Sequence, residues 1–297
     1  MYEHGTPTVR WSSSDASPLP CDLIYIKIPK CASSTTGGVA RRIAAKHNLS
    51  GVHEKGSAWR PEPVLWANHG KLAAKWSPLH ALHQRAFLWT MVRQPVPRCL
   101  SAYYHFMESR HDAPNTAHAK VAYLRGCRDS VYSYTSPPKS AGLFTPHQLV
   151  RDVYSFVGLV ERYEESIVLL ASMLRVPLAH VLFLKAKVST EGGAHDGLGI
   201  AFVPHPPLDE EPPSVQDEAW SASFNASNRN DYELYHAANA ELERRWAANR
   251  AVLDANLRTF RSMLMRAKEL CGNWTSEDCY WNDNGCGVEC LDSHFTE

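Results

Sequence analysis

Lys30, Ser33, Ser34, Thr35 and Thr36 place one cation and four hydroxyls in the short run PKCASSTT, residues 29–36. That set suits an anion held against a helix start, where N–H groups lack helical acceptors. A second set is Arg93 and Ser101, eight positions apart in RQPVPRCLS. An arginine fork and a serine hydroxyl are good ligands for a phosphate. Each residue also has a plain reading: Lys30 as a surface lysine, the Ser and Thr side chains as helix caps, Arg93 in a structural ion pair, Ser101 on a helix surface. Two such sets together point to a ligand with anionic groups at both ends.

The elements that must position them are readable around both sets. LIYIKI (23–28) and FLWTMV (87–92) are apolar, β-rich runs that suit strands buried on both faces. Each meets a proline turn and then opens a helix. Ligands of open α/β sheets sit at such carboxyl ends of strands. The first turn lacks GxxxxGK[ST], so nothing marks it for magnesium-assisted ATP hydrolysis.

With PKCASST and the pattern Arg93-x-Pro95-x-x-Arg98-x-x-Ser101-x-Tyr103, the chain resembles the nucleotide-sulfate-dependent sulfotransferases. Their Golgi carbohydrate branch is the most similar, acting on galactose 3-hydroxyls or on uronic acid 2-hydroxyls of glycosaminoglycans. FVGLVERYEESIVLL (156–170) and NDYELYHAANAELERRW (230–246) are similar as well, so the resemblance runs from about residue 23 to about 270. It implies an α/β fold with a parallel sheet flanked by helices, of the phosphate-loop NTPase-like sulfotransferase type. It implies 3′-phosphoadenosine 5′-phosphosulfate (PAPS) as donor and a glycan acceptor, with a galactose 3-hydroxyl favoured over a uronic acid 2-hydroxyl and no metal. Lys30, Ser33, Ser34, Thr35 and Thr36 would then hold the 5′-phosphosulfate, and Arg93 and Ser101 the 3′-phosphate. Two departures stand out: Gln94 occupies the place of the usual acid, and Cys31 that of a more usual threonine.

Sulfuryl transfer also needs a base for the acceptor hydroxyl, a part open to His or Glu. His69, in VLWANHGKL between the two motifs, stands where the resembled carbohydrate enzymes keep a catalytic histidine. His80, His83, His105 and Glu54 are reserves, and Lys71 could orient an acidic acceptor. With 15 histidines in the chain, any one of them is by default a packing or solvent-exposed residue.

Lys+Arg and Asp+Glu both number 31, so there is no overall basic field for nucleic acid. No apolar run approaches the ~20 residues that span a bilayer, and the first 20 residues lack the regions of a signal peptide. Resembled Golgi enzymes carry an N-terminal anchor, which suggests a trimmed or incomplete reading frame. Four of the eight cysteines (Cys271, Cys279, Cys286, Cys290) crowd a tail poor in aliphatic residues. Disulfides are the natural staple there, and a zinc site is the competing reading, though no CxxC pair is present. Sequons at Asn48, Asn225 and Asn273 agree with a glycoprotein of the secretory pathway or Golgi lumen. Two rival functions are a phosphate-loop nucleotide kinase and a non-catalytic glycan-binding protein.

The expected organisation is a disordered segment (1–20), a sulfotransferase domain (21–270) and a disulfide-stapled tail (271–297). Residues 52–86 read as irregular and 111–147 as loop-rich. FVGLV and VLFLKAK read as strands, 188–227 as a long surface excursion, and 228–270 as helical with a break near Asn249. The sequence specifies no oligomeric state.

Overall fold

The computed structural model describes residues 19, 22–51, 64–74, 86–185, 203–272 and 285–296. Five parallel strands form one sheet: β1 (Leu23–Lys27), β2 (Ser50–Gly51), β3 (Val64–His69), β4 (Phe87–Val92) and β5 (Phe156–Leu159). Their order in the sheet is β2-β3-β1-β4-β5. From β1 the chain crosses to the edge strand β2, comes back to β3 beside β1, and then passes to β4 and β5 on the other side. The switch point therefore lies at β1 and β4, the two strands that carry the anion-binding sets.

Alternation along the strands divides the core into two layers. Leu23 and Tyr25 of β1, Trp89 and Met91 of β4, and Phe156 of β5 pack on one face with Val39, Ile43 and Phe260. The helix α1 (Ser33–Lys46) and the helices Tyr163–Leu174 and Arg250–Cys271 cover this face. Ile24, Ile26, Leu88, Val92 and Val157 point the other way, against Leu234, Ala237 and Ala238 of the helix Arg229–Ala248. Every residue of β1 is buried, as a strand covered on both faces requires. The close approach of helix Tyr163–Leu174 to β5 depends on Gly158, where a Cβ would lie 2.5 Å from Met91 Sδ. Ser166 completes that joint by accepting the Leu159 N–H at 2.9 Å.

The α/β architecture with a parallel, helix-flanked sheet follows the sequence reading, and several local expectations need correction. β3 lies inside the stretch expected to be irregular. Residues expected to be loop-rich contain the helices Ala117–Gly126 and Ser130–Thr135. The second of these is capped from a distance: Asp231 accepts the N–H groups of Val131 (3.1 Å) and Tyr132 (2.7 Å). VLFLKAK forms no named strand among the described residues, only a single bridge from Leu184 to Cys286. The expected excursion carries two short helices, Pro213–Ala219 and Ala222–Ser227.

Cys271 and Cys290 form a disulfide, and Cys286 is disulfide-bonded too. The tail reaches the core through Leu291 and Phe295, and Asp292 accepts a hydrogen bond from buried Arg42 at 2.8 Å. A further disulfide away from the tail, Cys99–Cys127, was not expected from the sequence. These bonds suit an oxidising, secreted or lumenal setting. Among the described residues no helix is long and apolar enough to cross a membrane. Asn48 and Asn225 are exposed; Asn273, Glu54, His80, His83 and most of segment 1–20 lie outside the described residues.

Candidate active site

The turn after β1 departs from ordinary backbone. Lys30 (φ 65°) and Ala32 (φ 55°) both sit in the left-handed region, which costs a non-glycine residue about 1–2 kcal/mol. Alternating handedness before a helix turns successive N–H groups inward to form an anion-binding concavity. α1 opens directly afterwards, with no side-chain cap. Its first intrahelical bond runs from Thr36 N–H to Ala32 C=O. The N–H groups of the first turn thus face the cleft with the helix dipole behind them.

A cavity of about 970 Å³ opens at this point, at the carboxyl ends of β1, β3 and β4. Lys30, Ser33, Ser34, Thr35, His69, Arg93 and Ser101 all line it, so seven of the eight residues chosen from sequence meet in one place. Thr36 does not line it. Its hydroxyl is buried, donates to Ala32 C=O at 2.9 Å and shares a 2.9 Å hydrogen bond with Tyr163. The reason is helical phase, which turns Thr36 under the turn while Thr35 stays at its mouth. His105 lines the cavity as well.

Arg93, just past the end of β4, ties the two sets together by donating from Nη1 to Lys30 C=O at 3.3 Å. Burial lowers its pKa from the ordinary arginine value, but a guanidinium stays charged. It is a half-buried cation fixed beside the β1 turn. Gln94, in place of the usual acid, donates its N–H to Glu161 at 3.0 Å. Pro95 starts the helix Pro95–Ala102, where a missing N–H costs nothing. Buried Ser101 faces the cavity from that helix.

The other motif residues brace the wall. Arg98 is buried and donates to the sulfurs of Cys99 and Cys127, at 3.0 and 3.4 Å. Tyr103 is buried with its hydroxyl on Pro114 C=O. Cys31 is a free thiol whose pKa burial pushes up to about 12, so it packs and does not act as a nucleophile.

His69 ends β3, level with Lys27 of β1. Its Nδ1 lies 3.1 Å from Lys27 C=O. A carbonyl can only accept, so Nδ1 is the donor there, and in a neutral imidazole the basic nitrogen is then Nε2. That is the tautomer a general base needs, on an exposed imidazole that lines the cavity.

Sequence reasoning missed a buried polar network behind Arg93. Lys120 and Glu211 form a buried ion pair at 2.8 Å. Tyr104 donates to Glu211 at 2.6 Å, and Lys120 sits 4.8 Å from the centre of the Tyr104 ring. His205 stacks on the Tyr104 ring, 4.9 Å between ring centres. Burial lowers the His205 pKa, and the positive charges of Arg93 and Lys30 lower it further. No local pattern marks such partners, which come from segments some 90 residues apart.

Both turns lie at the switch point of a parallel sheet, with the His69 imidazole on the same cavity, in an α/β fold of helix-flanked parallel strands. Residues 20–141, which include both turns and His69, match the sulfotransferase family. No curated protein matches the chain.

Proposed function

We propose that the protein transfers a sulfuryl group from PAPS to a sugar hydroxyl of a glycan or glycolipid, in the Golgi lumen or elsewhere on the secretory pathway. The observation that carries this reading is the convergence of Lys30, the α1 N-terminus, Arg93, Ser101 and His69 on one cavity. The donor residues fit such a nucleotide: a helix start and a lysine for one anionic group, an arginine and a serine for another. PAPS, when bound, supplies an activated sulfuryl group whose leaving group is a phosphate.

Ser33, Ser34 and Thr35 hold the 5′ end through N–H groups and hydroxyls. Lys30 neutralises charge building on the leaving oxygen, a stabilisation worth most in a site shielded from water. Arg93 and Ser101 hold the 3′-phosphate and so fix the register of the donor. His69 Nε2 takes the proton from the acceptor hydroxyl as the new S–O bond forms in line with the one that breaks. The sequence resemblance favours a galactose 3-hydroxyl, with a uronic acid 2-hydroxyl as the other candidate. Isothermal titration tests the donor assignment. Binding of 3′-phosphoadenosine 5′-phosphate (PAP) should be much tighter than that of adenosine 5′-phosphate or ATP. Equal binding of all three would return the kinase reading to the front.

A further inference from the structure

The C-terminal strap, residues 285–296, is bolted to elements that build the cavity. Gly285 (φ 85°) lies so close to α1 that a Cβ there would meet Gly38 Cα at 2.9 Å. Gly38 is about 7.5 Å along the axis from Ser33, where the anion-binding turn opens the helix. Further along α1, buried Arg42 donates to Asp292 at 2.8 Å, and Lys46 pairs with the same carboxylate at 3.2 Å. Leu291 and Phe295 of the strap pack in the core cluster that holds Val39 and Ile43 of α1.

The strap also grips Leu184. Cys286 forms an antiparallel bridge with it, and a Cβ at Gly287 (φ 61°) would come within 2.6 Å of Leu184 Cδ1. The residues on either side, Phe183 and Lys185, line the cavity. Phe183 packs edge-on against Tyr163, 4.8 Å between ring centres, and Tyr163 shares its hydrogen bond with Thr36 of α1. Arg42 links the two sides by donating to the C=O groups of Ala179 and Leu182, at 2.5 and 3.2 Å. The helix start and the 183–185 wall thus meet on one strap, which Cys290 ties to Cys271 at the end of helix Arg250–Cys271. That tie is the accessible one. Cys99, Cys127, Cys271 and Cys286 are all buried, whereas Cys290 is only half-buried, and access governs thiol–disulfide exchange.

Resting on the donor reading above, we propose that the strap positions the donor site and that Cys271–Cys290 is its redox latch, whose reduction frees α1 and the 183–185 wall and weakens donor binding. The reductant is a dithiol. Its thiolate attacks Cys290 Sγ, the S–S bond breaks, and the electron pair leaves on Cys271 Sγ, which takes up a proton. The second thiol of the reagent then closes on the first, releasing Cys290 as a thiol and the reagent as a cyclic disulfide. Without the cross-link the strap gains more conformational freedom on opening, so it opens locally while the sheet core stays folded.

The test titrates wild type with dithiothreitol until alkylation and mass spectrometry show Cys271 and Cys290 free and Cys99–Cys127 intact. PAP affinity by calorimetry and amide hydrogen exchange are then compared with the oxidised protein. Reduction should weaken PAP binding about tenfold, a size usual for coupled sites. Exchange should rise in α1 and in 178–185, with far-UV circular dichroism unchanged, and reoxidation should reverse both effects. The double variant Cys271→Ser, Cys290→Ser should match the reduced protein and no longer respond to dithiothreitol. Asp292→Asn, which loosens the strap without touching a thiol, should lower PAP affinity in the oxidised protein. Unchanged PAP affinity in the reduced, folded protein overturns the latch, as does reduction of Cys99–Cys127 before Cys271–Cys290. Loss of the circular dichroism signal on reduction marks a purely structural staple and overturns it equally. Absence of PAP binding in oxidised wild type would overturn the donor reading alone, and exchange in α1 would still decide whether the strap is coupled to it.

Discussion

Replacing Arg93 should erase the protein's ability to recognise a 3′-phosphate. The guanidinium is half-buried, fixed to Lys30 C=O and sensed electrostatically by Cys31 across the turn. A charged hydrogen bond contributes about 1.5–3 kcal/mol, and an ion pair at 4 Å with an effective dielectric near 20 is worth about 4 kcal/mol before desolvation. A net loss of about 3 kcal/mol is expected in Arg93→Ala, roughly a hundredfold in Kd for PAP. Adenosine 5′-phosphate, which has no 3′ group, should bind both proteins almost equally. Arg93→Lys keeps the charge but not the fork, so it should fall between them, at about a tenfold loss. Calorimetry with both nucleotides measures the ratio directly, and thermal melts of each variant control for folding. An Arg93→Ala protein that is folded and still prefers PAP a hundredfold would refute the assignment of this turn.

His69→Ala should lower kcat by about 10²–10⁴ while leaving the PAP Kd unchanged; unchanged kcat would move the base elsewhere, His105 being the nearest reserve on the cavity wall. Lys120→Met strands Glu211 in the interior and should cost about 3–5 kcal/mol by denaturant titration, so a loss under about 1 kcal/mol would count against the pair being buried. Acidification should weaken the fold at the back of α1, where buried His180 lies 3.1 Å from His47 with Arg42, Lys46 and Asp292 around it. Burial lowers the His180 pKa from 6.5 to about 4, so the folded state resists a proton that the unfolded chain accepts. This contribution to stability is complete above pH 6.5 and is lost as pH falls towards 4. Denaturant midpoints across that window should drop more steeply in wild type than in His180→Gln, and parallel curves would exclude His180 as the cause.

β1 and β4 were legible because both lie in the centre of the sheet and are apolar along their length. Their turns were legible for the same reason, since a lysine or arginine directly after such a run has few structural reasons to be there. β3 was not, because the apolar part of VLWANH stops after four residues, follows Pro61 and Pro63, and gives way to polar residues. Yet its last residue, His69, was singled out by the family resemblance, which places a histidine between the two motifs, and it lines the cavity. The helix Ala117–Gly126 escaped because one of its two buried positions is Lys120; a charged side chain there hides the apolar periodicity. Thr116, which accepts the Ala119 N–H at 3.3 Å, was the available cap signal. Thr36 and Thr35 look equivalent in sequence, and only the helical phase of α1 separates the buried one from the one at the cavity. The Cys99–Cys127 bond and the Asp231 cap join segments whose proximity is set by tertiary packing, which no local pattern encodes. The break at Asn249 was readable because two long helical patterns meet there, and the helices end and begin on either side of it.

Transfer itself is the most direct measurement. Purified protein is incubated with sulfur-labelled PAPS and a panel of acidic and neutral glycans, beside a Lys30→Ala control and a parallel set with γ-phosphate-labelled ATP. The account predicts label in the glycan from PAPS, its loss in Lys30→Ala, and none from ATP. Phosphate transfer from ATP, or sulfur transfer indifferent to Lys30, would contradict it.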